Sequence, residues 1–136
     1  MPNVCVVDTD VVSFMFKDDT RSEKYRRYLA DWKPVVSFMT IAELERWALL
    51  GNWGAARREG LAVFLERFPI VLVDVPLCYD WAAVSVGARK NGRPIAVADA
   101  WIAATATSMG AALVTNNRSD YLGVDGLVLL PEPTDD

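Results

Sequence analysis

The chain has 136 residues, half of them hydrophobic, which is enough for one domain with a buried core, and it holds no apolar run long enough to span a bilayer. It contains no histidine and only two cysteines, which excludes Ser-His-Asp and Cys-His triads, histidine-based nucleases, and zinc sites built from histidine or four thiolates. A net charge of −4 argues against a surface that binds nucleic acid everywhere, and catalysis is left to carboxylates, hydroxyls, Lys and Arg, with a hard metal that prefers oxygen.

In chain order, Val4–Asp8 ("VCVVD") is a β-branched run that predicts a buried strand. Helical patterns follow at about Val11–Phe16 and Ser22–Asp31. The second lies in "RSEKYRRYLADWK", which carries five bases against two acids. Val35–Phe38 ("VVSF") predicts a strand, Ile41–Leu50 and Ala55–Phe68 helices, and Ile70–Val73 ("IVLV") a third strand. Helices over Leu77–Lys90 and Ala96–Met109 then lead to strands at Ala112–Thr115 ("ALVT") and Leu127–Leu130 ("LVLL"). No strand alternates between apolar and polar, as expected where both faces are covered. Strands alternating with helices predict an α/β fold, a three-layer α/β/α sandwich around a central parallel sheet of four to five strands. One domain over 1–136 is expected, with 131–136 ("PEPTDD") as a loose tail. Cys5 and Cys78 read as buried thiols in a reducing cytoplasm, and "MPNVCVVD" lacks the basic region of a secretion signal.

In such a sheet, ligands bind where strands give way to loops at the carboxyl edge. Asp8, Thr9 and Asp10 close the first strand, Thr40 and Glu43 follow the second, Asp74 follows the third, and Thr115, Asn116 and Asn117 follow the fourth, with Asp120 soon after. Asp99 is the single charge in "PIAVADAWIAATATSM", and an ionised carboxylate in an apolar run is costly unless something meets it. A metal shared with Asp8 and Glu43 answers that cost. Bland alternatives stand beside each acid. Asp8 fits an N-cap, Thr40 and Glu43 fit a capping box, Asp99 fits a helix N-terminus, Asp10 and Asp120 fit capping or solvent, and Asp74 fits a turn.

Four stretches, "VVDTDVVSF", "SFMTIAELERW", "GRPIAVADAWIAATAT" and "LVTNNRSDY", resemble in order and spacing the motifs of PIN-domain ribonucleases, and above all the VapC-type toxins of bacterial toxin–antitoxin pairs. The resemblance covers nearly the whole chain. It implies an acidic pocket that binds Mg²⁺ or Mn²⁺, with Asp8, Glu43 and Asp99 at the acidic ligand positions, Thr9 beside the first acid and Thr115 opening the last motif. The fourth acidic position is held by Asn117, with Asp120 three residues on. The implied reaction is hydrolysis of an RNA phosphodiester by a water whose pKa the metal lowers, leaving a 5′-phosphate. Arg21, Lys24, Arg93 and Arg118 are the candidates for holding substrate phosphates. The expected partners are RNA, a cognate VapB-like antitoxin and a second copy of the chain, in the cytoplasm and away from membranes. A hydrophobic groove between the Ser22–Asp31 and Ile41–Leu50 helices, marked by Trp47 and Trp53, is the expected antitoxin seat. A housekeeping RNA-processing nuclease and a non-cleaving RNA-binding or partner-binding module are the alternatives. A haloacid-dehalogenase-like phosphatase is disfavoured, because no lysine follows Lys90.

Overall fold

Side chains alternate across each strand, and both sides are buried here. Cys5 and Val7 enter one core with Val36 and Val114, whereas Val6 joins Val35 and Leu113 in another. This double burial explains the unbroken apolar runs. The computed structural model describes residues 3–133. Strands β1 (Asn3–Val7), β2 (Trp32–Ser37), β3 (Ile70–Val71), β4 (Ala112–Val114) and β5 (Leu129–Leu130) form one sheet in the order β3-β2-β1-β4-β5, with every pairing parallel. Helices α1 (Thr9–Lys17), α2 (Ser22–Leu29), α3 (Phe38–Leu50) and α4 (Ala55–Leu65) fill the first core; α6 (Val97–Met109), backed by α5 (Val75–Lys90), fills the second. Each predicted strand and helix is present, in the predicted three-layer arrangement. No helix among the described residues is long and apolar enough to cross a membrane.

The chain builds outward from β1 to β3 and then returns to place β4 on the other side of β1. The order therefore reverses between β1 and β4, and the crevice at their carboxyl ends is the natural ligand site. Helix α6 comes close to that crevice because Ala100, Ala103, Ala104 and Ala106 are fully buried and their small side chains let it lie against the sheet. Its first turn is pinned laterally. Trp101 stacks on Trp81 at 5.3 Å and meets Phe38 of α3 edge-on at 5.3 Å, while Trp81 Nε1 donates to the Val97 carbonyl at 3.2 Å.

Five expectations need correction. Helix α3 begins at Phe38, not Ile41, because Ser37 ends β2 and caps the helix directly, accepting from Met39 N at 3.0 Å. Thr40 is thus inside the first turn, and the Thr40–Glu43 capping box does not form. Cys78 is exposed, whereas Cys5 is buried and burial pushes its thiol up to about 12. The helices expected to form the groove are placed differently, as α2 turns its buried Tyr25 and Leu29 into the first core beside α1. An apolar cavity of about 480 Å³ instead separates α3 from α4, lined by Ile41, Leu61, Leu65, Phe68 and Ile70. Trp53 stacks on Phe16 at 5.8 Å and belongs to core packing, while Trp47 is 37% exposed. Within the expected tail, Pro131 is tied down by Arg118, and residues 134–136 lie outside the described residues.

The segment after β4 is held against the α5–α6 turn. Asn91 Nδ2 donates to the Gly123 carbonyl at 2.9 Å, and Gly123 sits so close that a Cβ there would collide with the Arg93 carbonyl oxygen and crowd Ala88. Gly123→Ala is therefore expected to cost about 1–3 kcal/mol of stability through overpacking, read as a melting temperature several degrees lower. An unchanged melting temperature would show that the loop relaxes freely.

Candidate active site

Asp8 follows β1 and is the N-cap of α1, only 5% exposed. It does cap, as Oδ1 accepts from Thr9 N at 2.8 Å. Its other oxygen faces away from the helix, where Oδ2 accepts from the Thr115 hydroxyl at 2.7 Å and the Tyr121 hydroxyl at 3.0 Å. Tyr121 closes a short 3₁₀ turn, Arg118–Tyr121, and its hydroxyl also reaches Asp99 Oδ1 in the first turn of α6 at 3.3 Å. One phenol thus joins acids ninety-one residues apart.

Glu43 enters through Thr9. The Thr9 hydroxyl donates to Glu43 Oε1 at 2.8 Å and lies 2.9 Å from the buried Thr40 hydroxyl. With its only proton given to Glu43, Thr9 must be the acceptor from Thr40. Asp10 Oδ1 accepts from Val11 N at 2.7 Å and Oδ2 from Asn116 N at 3.1 Å, and the Tyr25 hydroxyl donates to Asn116 Oδ1 at 2.8 Å. The ends of β1 and β4 and the starts of α1, α3 and α6 are stitched together by these bonds.

The charges in this network oppose one another. Burial pushes Asp8 up from 3.8 to about 7, assisted by the charge of Asp10 and resisted by the hydrogen bonds from Thr115, Tyr121 and Thr9. Asp99 rises to about 6 through burial and then the charges of Asp8, Asp120 and Glu43. Asp10 rises to about 6, mainly through burial, with Asp99 and Asp120 contributing. Burial and these carboxylates together push the Tyr121 phenol upward. Among the described residues, the ion pairs are Arg21–Asp19, Arg26–Asp18, Arg27–Glu23 and Arg58–Glu45, and none reaches the site. Five carboxylates therefore share one sheet edge without a paired base.

Such a donor set is all oxygen, which fits a hard divalent cation. Among the described residues no three carboxylates close tightly enough to enclose an ion by themselves.

The structure brings together Asp8, Glu43, Asp99, Thr9 and Thr115, with Thr9 and Thr115 as the linking hydroxyls. Asn117 takes part through its backbone, donating to Thr115 Oγ1 at 3.0 Å. The acid whose charge bears on Asp99 and Asp10 from this segment is Asp120. Arg118 is corrected as a phosphate candidate, because its guanidinium donates to the Leu129 and Pro131 carbonyls at 2.8 and 3.1 Å. Arg21 pairs with Asp19 and lies 3.6 Å over the Phe14 ring. Lys24 lines, with Tyr25, Thr115 and Asn116, a cavity of about 210 Å³ that adjoins the site. Arg93 is exposed in the turn before α6. The sequence placed Asn116 at this edge without a role and assigned Asp10 to capping or solvent, while Tyr121 and Tyr25 escaped it. The available signal for Asp10 was its place two residues beyond Asp8 at a strand–helix junction.

The chain matches the PIN domain family over residues 5–122. It is 26% identical over 130 residues to "Ribonuclease VapC1" of Haemophilus influenzae (strain R2866), spanning 91% of this chain and 94% of that one. It is 31% identical over 118 residues to "Ribonuclease VapC4" of Mycobacterium tuberculosis, spanning 85% of this chain and 87% of that one. Its backbone superposes with a TM-score of 0.81 on a chain in the crystal structure of VapBC2 from Rickettsia felis bound to a DNA fragment from their promoter. That match has 21% identity over 93% of this chain and 96% of the other, and is a likeness of fold.

Proposed function

Because this chain belongs to the PIN-domain family and, within it, to the VapC-type ribonucleases, we propose that it is a divalent-metal-dependent endoribonuclease serving as the toxin of a toxin–antitoxin pair. The observation that supports the metal dependence is the set of five carboxylates at one edge, with Asp8, Asp10 and Asp99 raised above their ordinary range and no ion-paired base among the described residues.

In this reading Asp8 and Asp99 hold the ion, with Glu43, Asp10 and Asp120 completing the acidic surround. When bound, Mg²⁺ or Mn²⁺ would lower the pKa of a coordinated water and offset the charge that develops on a phosphodiester. The chain's own part is orientation. Thr9 N–H and the Thr115 hydroxyl fix the Asp8 carboxylate, and the Thr9 side chain, itself set by Thr40, fixes Glu43. Lys24, beside the small cavity that Thr115 and Asn116 also line, is the side chain best placed to meet a backbone phosphate of RNA. Arg21 contributes more weakly, being committed to Asp19.

A VapB-like antitoxin and a second copy of the chain are the proposed protein partners, in the cytoplasm. Support for an interface comes from Leu72, Val73, Val75 and Tyr79, which stay largely exposed where β3 gives way to α5, and from Val97 at the start of α6.

Incubating the purified chain with RNA in Mg²⁺, in Mn²⁺ and in EDTA tests the reading, with the new ends mapped by ligation that requires a 5′-phosphate. Cleavage only with metal, leaving 5′-phosphates, is expected. Cutting in EDTA, or 2′,3′-cyclic phosphate ends, would overturn it.

A further inference from the structure

Tyr121 is 1% exposed, and its ring packs in the second core among Ile102, Ala103, Leu113 and Leu129. A phenylalanine would serve that packing equally well. The hydroxyl needs a separate reason, since a buried polar group without partners is costly. Its partners are Asp8 Oδ2 and Asp99 Oδ1.

A carboxylate oxygen accepts about two hydrogen bonds. Asp8 Oδ2 is therefore saturated by Thr115 and Tyr121, while Oδ1 carries only the bond from Thr9 N. On Asp99 the Tyr121 hydroxyl engages Oδ1, and no donor among the described residues meets Oδ2. We infer that Tyr121 is a positioning residue. Its bifurcated hydrogen bond turns Asp8 and Asp99 so that Asp8 Oδ1 and Asp99 Oδ2 are the oxygens presented to a divalent cation. The inference rests on the proposed metal site and adds to it the choice of oxygens and the residue that makes that choice. The hydroxyl acts through the carboxylates and does not itself touch the ion.

The test is Mn²⁺ binding by the full chain, followed by calorimetry and by the paramagnetic resonance of free Mn²⁺ at fixed pH. Tyr121→Phe keeps the ring and should keep the fold, checked by circular dichroism. Loss of a hydrogen bond that orients a metal-binding carboxylate typically weakens metal affinity 10- to 100-fold, and that range is expected here. Val124→Ala, a packing change on the same segment, should lower the melting temperature while leaving Mn²⁺ affinity unchanged. Three results would overturn the inference with the metal site intact. These are equal binding by wild type and Tyr121→Phe, tighter binding by Tyr121→Phe (the hydroxyl then merely occupies the ion's place), and equal weakening by Val124→Ala. A wild type that binds no Mn²⁺ would overturn the metal reading itself, and this inference with it.

Discussion

Asp99→Asn is expected to abolish metal-dependent RNA cleavage while making the metal-free protein more stable. Loss of a direct ligand removes several kcal/mol of transition-state charge stabilisation, a fall in rate on the order of 10³-fold or more. The stability effect has the opposite sign because of the site's electrostatics. Burial and the charges of Asp8, Asp120 and Glu43 hold Asp99 at about 6, so at neutral pH its ionised form is a burden on the folded state. Asparagine removes the charge and keeps an oxygen that can accept from Tyr121. Asp99 is partly exposed, so solvent screening trims the gain to about 1 kcal/mol, or roughly 3 to 5 °C in melting temperature. Single-turnover cleavage and thermal melts in EDTA measure both. Retained activity with a lowered melting temperature would mean that Asp99 is a structural residue.

Much of this site was legible from residue order. Asp8, Glu43 and Asp99 each stand just beyond a strand or near the start of a helix, and a parallel sheet must bring such positions to one edge. The unbroken apolar runs around Val6, Val35 and Leu113 are the local mark of strands buried on both faces, so the layers were legible too. What escaped depends on which of two neighbours a side chain chooses. Ser37 is the last residue of a strand and an N-cap at once, and strand propensity in "VVSF" conceals the second role. Arg118 reads as a free base near the site until β5 presents two carbonyls to it. The amphipathic α2 helix has a buried face whichever neighbour it meets, and only the assembled sheet turns that face into the first core. Tyr121 is the extreme case. Its ring satisfies the core pattern, so nothing in the local sequence draws attention to the hydroxyl, whose partners are 113 and 22 residues away.

The same clustered acids give stability an unusual dependence on pH. Asp8 at about 7 and Asp10 and Asp99 at about 6 all lie above the ordinary 3.8, so between these values the folded chain binds more protons than the unfolded one. Stability then falls as pH rises. The metal-free protein should be most stable near pH 4 to 5 and lose stability up to about pH 7. Asp19 works in the other direction, held low by hydrogen bonds from Arg21, but its contribution is complete above its ordinary value and lost only below it, outside this window. A divalent cation reverses the slope, because it binds the deprotonated acids of the folded state alone. At a concentration 100 times its dissociation constant it adds about 2.7 kcal/mol. Melting curves from pH 4.5 to 8, in EDTA and in excess Mn²⁺, should therefore diverge as pH rises, chiefly above pH 6. In Asp8→Asn the EDTA curve should flatten and the gap should shrink, since one of the strained acids and one of the ligands are lost together. A metal-free melting temperature that climbs through pH 5 to 7 would show that the acids are not strained. A Mn²⁺ gain of equal size in wild type and Asp8→Asn would put the ion elsewhere on the protein.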